Sequence, residues 1–454
     1  MGEKAFERRI IRLKQKWLLR LLLPLVFNLP NTKEDVMKIF IRLLTILLVF
    51  SFIVSCAGTP TTAPTTEAPQ ASQPTATPSL TANEQWAKDN GVGPYQPATD
   101  DWAAIEAAAI KEGKVTVYAN SGGVEDLPDS WYALYPDIEF DAADTDGIDT
   151  KMAAEQESGN VIGDVWFNSD GHILFGQFVP NQWMWWFVPR DVTIPELTAE
   201  HPFAVARHST DVIGYNNKFY PDGCPLTNIW QITEPQYKGK FFMEDPVSDV
   251  STMAKMATFV QNADEMAQAY LDLYGKEWTT DELAVADASG IIPEDAGYLW
   301  LKKVTYNGVV VLDDGDMVDA AFAGLELPVG EEPGFGWTGY SSVEATEEGE
   351  LNMAPCFGME PVMGIFKTSF LGIANNAPHP NAAKLFIRFI LSDVGLAPWT
   401  EIGTYPAAEG IPVYEGNLPL AELLPQVWEM DPLFDWENVS KVRDFWAASL
   451  LVAP

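Results

Sequence analysis

The chain is poor in the residues from which most catalytic chemistry is built. Its 454 residues include four histidines and three cysteines, and 28 Lys+Arg stand against 64 Asp+Glu, a formal net charge of −36. So few cations exclude a nucleic-acid binder, because neutralising phosphates takes a basic patch. Three cysteines exclude a disulfide-built scaffold, and a chain this long can bury a sizeable core without staples. No HExxH, GxSxG, GxxxxGK[ST] or CxxC sequence occurs, so zinc-protease, nucleophile-elbow, P-loop and thioredoxin-like chemistries are not signalled. His172, His201, His208 and His379 fall in no such pattern. Carboxylates are so abundant that no one pair points to two-carboxylate glycoside hydrolysis. With 47% hydrophobic and 20% charged residues the chain is globular rather than disordered.

What is present is unevenly spread. Residues 1–55 hold 10 basic and 4 acidic side chains, which leaves 18 basic and 60 acidic beyond them, a charge of −42. Residues 43–54 are uncharged and mostly apolar. As a helix they would span about 18 Å, short of a ~30 Å hydrocarbon core, and this fits a signal-peptide core better than an anchor. Ile53-Val54-Ser55-Cys56 resembles the bacterial lipobox, which implies that Cys56 is lipidated and begins the mature protein. Met37 opens a complete signal, so residues 1–36 are expected to be a spurious extension and 37–55 the lipoprotein signal peptide. Thr, Ala, Pro and Ser make up 21 of the 27 residues from 57 to 83. With Cys56 they are expected to form a disordered tether, residues 56–83, reaching from roughly 30 Å as a coil to about 80 Å when extended.

Globular patterning starts near residue 84. Asp101 can cap a helix that Gly113 ends. Strands are predicted over 114–118, 138–141, 164–167, 211–215, 240–243 and 309–312. Between and after them helices are predicted near 125–135, 150–158, 251–262, 263–274, 294–304, 315–323 and 379–391. Alternating strand and helix implies βαβ units and a parallel sheet, with ligand loops at the strands' carboxyl ends, here 120–123, 168–171 and 245–252. Cys224 and Cys356 are compatible with either a disulfide or separate buried thiols. The run Trp183-Met184-Trp185-Trp186-Phe187 is compatible with an aromatic wall at a cleft mouth or with a buried strand. His172 follows the third strand and suits a cap or core position, or a place lining a cleft.

Several short motifs recur in a characteristic order: Lys111-Glu112-Gly113-Lys114-Val115-Thr116-Val117-Tyr118, Tyr135-Pro136-Asp137-Ile138, Gly163-Asp164-Val165, Tyr237-Lys238-Gly239-Lys240 and Ala377-Pro378-His379-Pro380-Asn381-Ala382-Ala383-Lys384. Together they resemble the extracellular solute-binding lipoproteins of ABC importers, in the branch of ferric-iron, thiamine and phosphonate receptors. The resemblance implies an α/β, two-lobed type II periplasmic-binding-protein fold, each lobe a mixed sheet flanked by helices and the two joined by hinge strands. Residues 84–206 and 339–391 would form lobe 1, residues 210–336 lobe 2, and 392–454 C-terminal helices packing across both. It also implies a monomer, anchored by lipid on Cys56 to the outer face of the cytoplasmic membrane. That receptor would deliver a small solute to ABC permease subunits, with no cofactor, resident metal or catalytic residue.

Iron receptors of this branch use two adjacent tyrosines, a histidine and a carboxylate. Here the matching places read Gly339-Tyr340, Ser121-Gly122 and Ser169-Asp170, so too few anionic oxygens remain for tight ferric binding. A small organic solute is expected instead. Ser121, Gly122, Ser248 and Ser251 can offer hydroxyl or N–H donors, the last beside a helix start that suits an anion; Ser251 is equally suited to cap that helix. Asp170 and Glu360 could pair with an amine, and Trp337 and Tyr340 could stack on a ring or pack in the hinge core; Ser169 completes the candidate set. The competing classes are a cell-tethered hydrolase and a sensing lipoprotein without a permease.

Overall fold

The computed structural model describes residues 79–144, 147–199, 201–279, 291–326 and 332–453. The folded body opens on a capping box, in which Thr81 Oγ accepts the Glu84 N–H while the Glu84 carboxylate accepts the Thr81 N–H. This cap starts helix α1 (Ala82–Asp89) inside the segment assigned to the tether, so order begins earlier than residue 84. The Thr/Ser-rich composition hid a cap that needs only one threonine and a glutamate three residues on. The leader, the signal peptide, Cys56 and the tether up to residue 78 lie outside the described residues.

Helix α2 (Trp102–Glu112) starts and stops where its chemistry dictates. Asp101 accepts the Ala104 N–H at 3.1 Å, and Gly113 ends the helix at φ 77°, a conformation that costs glycine no Cβ clash. It feeds β1 (Lys114–Ala119), α3 (Pro128–Leu134), β2 (Glu139–Asp144), α4 (Ile148–Ser158) and β3 (Val165–Asn168). Strand β1 pairs in parallel with both β2 and β3. Its last five residues are all buried, as expected of a parallel strand covered on both faces. Trp131 of α3 is fully buried and donates Nε1–H to the Ile138 carbonyl at 2.9 Å. Its truncation to alanine would cost about 3–5 kcal/mol.

Two short helical turns, Gly171–Ile173 and Leu174–Phe178, lead to β4 (Met184–Trp185) and the long β5 (Ala204–Asn216). The second half adds β6 (Phe241–Glu244), α5 (Val250–Gln261), α6 (Ala263–Tyr274), α7 (Ala296–Tyr306), β7 (Val310–Leu312), α8 (Gly315–Ala323), β8 (Phe335–Gly339) and β9 (Met353–Pro355). The chain returns through β10 (Gly364–Ala374) and α9 (Pro380–Ile390), and ends with β11 (Thr404–Pro406), β12 (Val427–Glu429) and α10 (Pro432–Val452). The main strand order is β2-β1-β3-β10-β5-β8-β6-β7. Strands β5 and β10 are antiparallel and central, and they join two separate apolar cores. Ala204 to Ala206, Phe370 and Leu371 belong to the first core with Trp131, Trp166 and Phe386. Val212, Ile213, Ile365 and Phe366 belong to the second with Trp230, Phe259, Trp300 and Trp337.

The lobe boundary expected at residue 339 is too early. Met353, Cys356 and Met363 lie in the second core, because β9 pairs with the far end of β5 at Gly214 to Asn216. Return to the first core begins at Phe370. Helix α10 packs on α5 and α7 and on both helical turns that follow β3. Cys224 and Cys356 form a disulfide with Cα atoms 5.1 Å apart, which closes the alternative left open by sequence. In the aromatic run, Met184 and Trp185 pair with Ala374 and Ile373 of β10, and Trp185 Nε1 donates to Asn375. Met184, Trp185 and Phe187 are buried in the first core, and Trp183 and Trp186 pack half-buried against it. Among the described residues no helix is long and apolar enough to cross a membrane.

Candidate functional site

Antiparallel pairing gives the crossing strands two unlike faces. Opposite residues share a side, and the side alternates along the strand. Lys367 faces Ser209 and Ser369 faces Arg207, on the same side as Asp211; Thr368 faces His208 and Phe366 faces Thr210, on the other. The first set, here the front face, is charged.

Asp211 is its centre. One carboxylate oxygen accepts Lys255 Nζ at 2.6 Å and the other Lys367 Nζ at 2.8 Å. Burial works against ionisation of Asp211, but the two ammonium groups outweigh it and hold its pKa at about 2. Lys255 comes from the second turn of α5, in the second lobe. Burial opposes its charge too, yet Asp211 and then Glu244 raise its pKa. The pKa of Lys367 is lowered by burial, against the pull of Asp211.

Arg207, 8% exposed, stands beside this trio. Its Nη2 donates to Ser121 Oγ at 3.4 Å, its guanidinium carbon lies 5.5 Å from the Trp399 ring centre, and its buried Nε has no partner. Burial lowers its pKa to about 10, with Glu401 and Asp211 partly offsetting that, so it remains a cation at neutral pH. Ser121 Oγ also accepts Trp399 Nε1–H at 2.7 Å. Gly123 is needed here, since a Cβ would stand 2.6 Å from the Trp399 ring. A guanidinium offers five donors in a fixed fork, and the group missing from this one is an acceptor oxygen.

The expected residues scatter. Ser121 joins the front cluster, and Gly122 opens the adjoining turn Gly122–Asp126. Ser169 lines a cavity on the opposite face. Asp170 turns inward to accept from Asn168 Nδ2 at 2.9 Å. Burial and then the charge of Asp170 push the neighbouring Asp149 carboxyl well above its usual range. Ser248 Oγ donates to the Asp245 carbonyl. Ser251 sits in the first turn of α5, whose cap is Asp249, accepting the Thr252 N–H. That carboxylate already occupies the helix terminus, which corrects both the anion-site reading and the idea that Ser251 is the cap. Trp337 is 3% exposed and edge-on to Phe259 at 5.5 Å in the second core. Tyr340 is equally buried, against Phe357 and so close to Gly403 that a Cβ there would stand 2.5 Å from its own. Both aromatics take the core-packing alternative. Glu360 is exposed, and its backbone pairs with Thr227 and Ile229.

Sequence reasoning missed Arg207, Asp211, Lys255, Lys367 and Trp399. A signal existed for three of them: in Arg207-His208-Ser209-Thr210-Asp211 and at Lys367, charged residues interrupt otherwise apolar strands at alternate positions. His379 is structural, donating through its backbone and Nδ1 to the buried Asp164. Among the described residues no group of three His, Cys, Asp or Glu side chains is placed to hold a metal ion.

No family model and no curated protein matches the sequence. Solved structures do match. The iron-bound HitA of Pseudomonas aeruginosa aligns with TM-score 0.54 and 15% identity over 74% of this chain and 99% of its own. The periplasmic binding protein P5PA aligns with TM-score 0.54 and 18% identity over the same shares. The binding protein MotA from A. tumefaciens B6, in complex with glucopine, gives 0.50 and 15%, again over 74% and 99%. The chain has the two-lobed α/β fold of these type II periplasmic binding proteins.

Proposed function

We propose that the chain is a solute receptor of an ABC importer, exported and held at the membrane by lipid on Cys56, and not an enzyme. Its solute is a small organic molecule with a carboxylate or phosphate-like group, held between the lobes at the front face. The observation that carries this reading is Arg207, a buried cation with an unpartnered Nε at the crossing point of the two lobes. A buried guanidinium short of acceptors is costly alone and becomes favourable when a bidentate anion arrives. Ser121 belongs to the first lobe and Lys255 to the second, so a solute touching both would stabilise the closed arrangement that a permease reads. The structural neighbours include one protein bound to iron and one to glucopine, so the fold is compatible with either kind of cargo. The cationic front face favours the organic anion.

A thermal-shift screen of carboxylates, phosphonates, sugars and ferric salts tests it. An anionic organic solute at 100 times its Kd should stabilise by about 2.7 kcal/mol, and mass spectrometry should recover it unchanged. Stabilisation by bare ferric iron alone, or consumption of the solute, would overturn the reading.

A further inference from the structure

The rear face of the crossing strands presents Phe366, Thr368 and His208, with Phe370 past a bulge. Against it lies a cavity of about 220 Å³, roofed by Pro432 and Asp435 of α10 and walled by Ser169, His172 and Phe175. Its volume equals that of about seven liquid waters. Two side chains on its lining are anomalous. His172 and Asp435 are each 1% exposed, yet both ring nitrogens of the one and both carboxyl oxygens of the other have no hydrogen-bond partner. Buried polar atoms are nearly always paired, and each orphan costs about 1–3 kcal/mol.

The rest of the lining says what would pair them. It includes Glu196 and Glu429 but no lysine or arginine. The ring nitrogens of His208 are already taken by Thr368 and Glu196, at 3.0 and 3.1 Å. Phe175, Phe203, Phe366 and Phe370 supply apolar walls, the Phe175 and Phe370 rings meeting edge to face at 5.3 Å. Carboxylates, a free acceptor nitrogen and aromatic surfaces are together complementary to an alkyl or aryl ammonium.

We propose that this rear cavity is a second ligand site, separate from the front face, that binds a small organic primary ammonium with Asp435 as counter-ion and His172 as acceptor. Burial lowers the His172 pKa, against the pull of Asp170, so one ring nitrogen keeps its lone pair. Burial, reinforced by Asp431, raises the Asp435 pKa to about 8. The empty site is then neutral at Asp435, and binding an ammonium releases that proton. The lining comes from both lobes, so an occupant favours one placement of the lobes over others. The site stands whether or not the front face takes an anion.

Calorimetric titration of the full chain with benzylammonium and with benzyl alcohol tests the proposal. Benzylammonium should bind at least about tenfold more tightly than the alcohol. Its affinity should fall about fivefold from pH 8 to pH 7 as Asp435 holds its proton. The other titratable groups around the cavity are His172, Glu196, His201, His208, Glu429 and Asp431, so Asp435→Asn must remove both the preference and the pH dependence, with the melting temperature unchanged or raised. Equal binding of the alcohol, no binding of benzylammonium by the wild type, or pH dependence that persists in Asp435→Asn would each overturn it.

Discussion

The front and rear faces of the crossing strands are built from alternate residues of the same two segments, and they treat buried charge in opposite ways. On the front, Asp211 is clamped between two ammonium groups and its pKa is about 2. On the rear, Asp435 is as deeply buried but has no partner, and its pKa is about 8. Burial pushes any carboxyl upward; a cation within hydrogen-bond reach reverses the sign. The front is therefore a satisfied ionic network with one donor-rich arginine to spare. The rear is an apolar cavity whose polar groups wait for a partner.

The largest effect expected from breaking this contrast is on the front. Asp211→Ala leaves Lys255 and Lys367 buried and unpaired and should cost about 3–5 kcal/mol in urea denaturation. Arg207→Gln should weaken the anionic solute found by screening about 100-fold, or roughly 2.7 kcal/mol, with little change in melting temperature. A comparable loss of stability would instead make Arg207 a structural cation. The faces should also separate by pH. Asp211, depressed from its ordinary 3.8, contributes stability above about pH 4 that disappears as pH falls towards 2. Asp435 has a raised pKa, so folding takes up a proton there and stability declines as pH rises from about 4 to 8. Asp435→Asn should thus gain stability at pH 7, up to about 4 kcal/mol, and nothing near pH 4. The smallest change is Ser121→Ala, which removes the acceptor for Trp399 Nε1 and Arg207 and should cost about 1 kcal/mol.

Legibility followed the range of the signal. Asp101 and Gly113 delimit α2 because a cap is a bond to the chain three or four residues away. The helix expected near 379–391 is α9, and it sets Ala382, Phe386 and Ile390 in the first core. Strand β10 escaped because Gly364 to Ala374 mixes Lys367, Thr368 and Ser369 into an apolar run, which blurs the period-2 pattern. The front cluster escaped with it. A lysine in α5 looks like any solvated helix lysine until the fold sets it 2.6 Å from an aspartate 44 residues earlier. Tyr340 was open to two readings: its motif position pointed to ligand, and packing against Gly403 and Phe357 selects the core alternative.

By itself the sequence determined the local elements, the acidic surplus and the poverty of catalytic motifs, because each depends on residue identity or on bonds within a turn or two. Only the tertiary structure decided that Cys224 meets Cys356, that Arg207 is buried short of acceptors, and that Asp211 and Asp435 titrate at opposite extremes. Those outcomes depend on which distant groups packing brings within a few ångströms and which it leaves dry, and no local pattern encodes that.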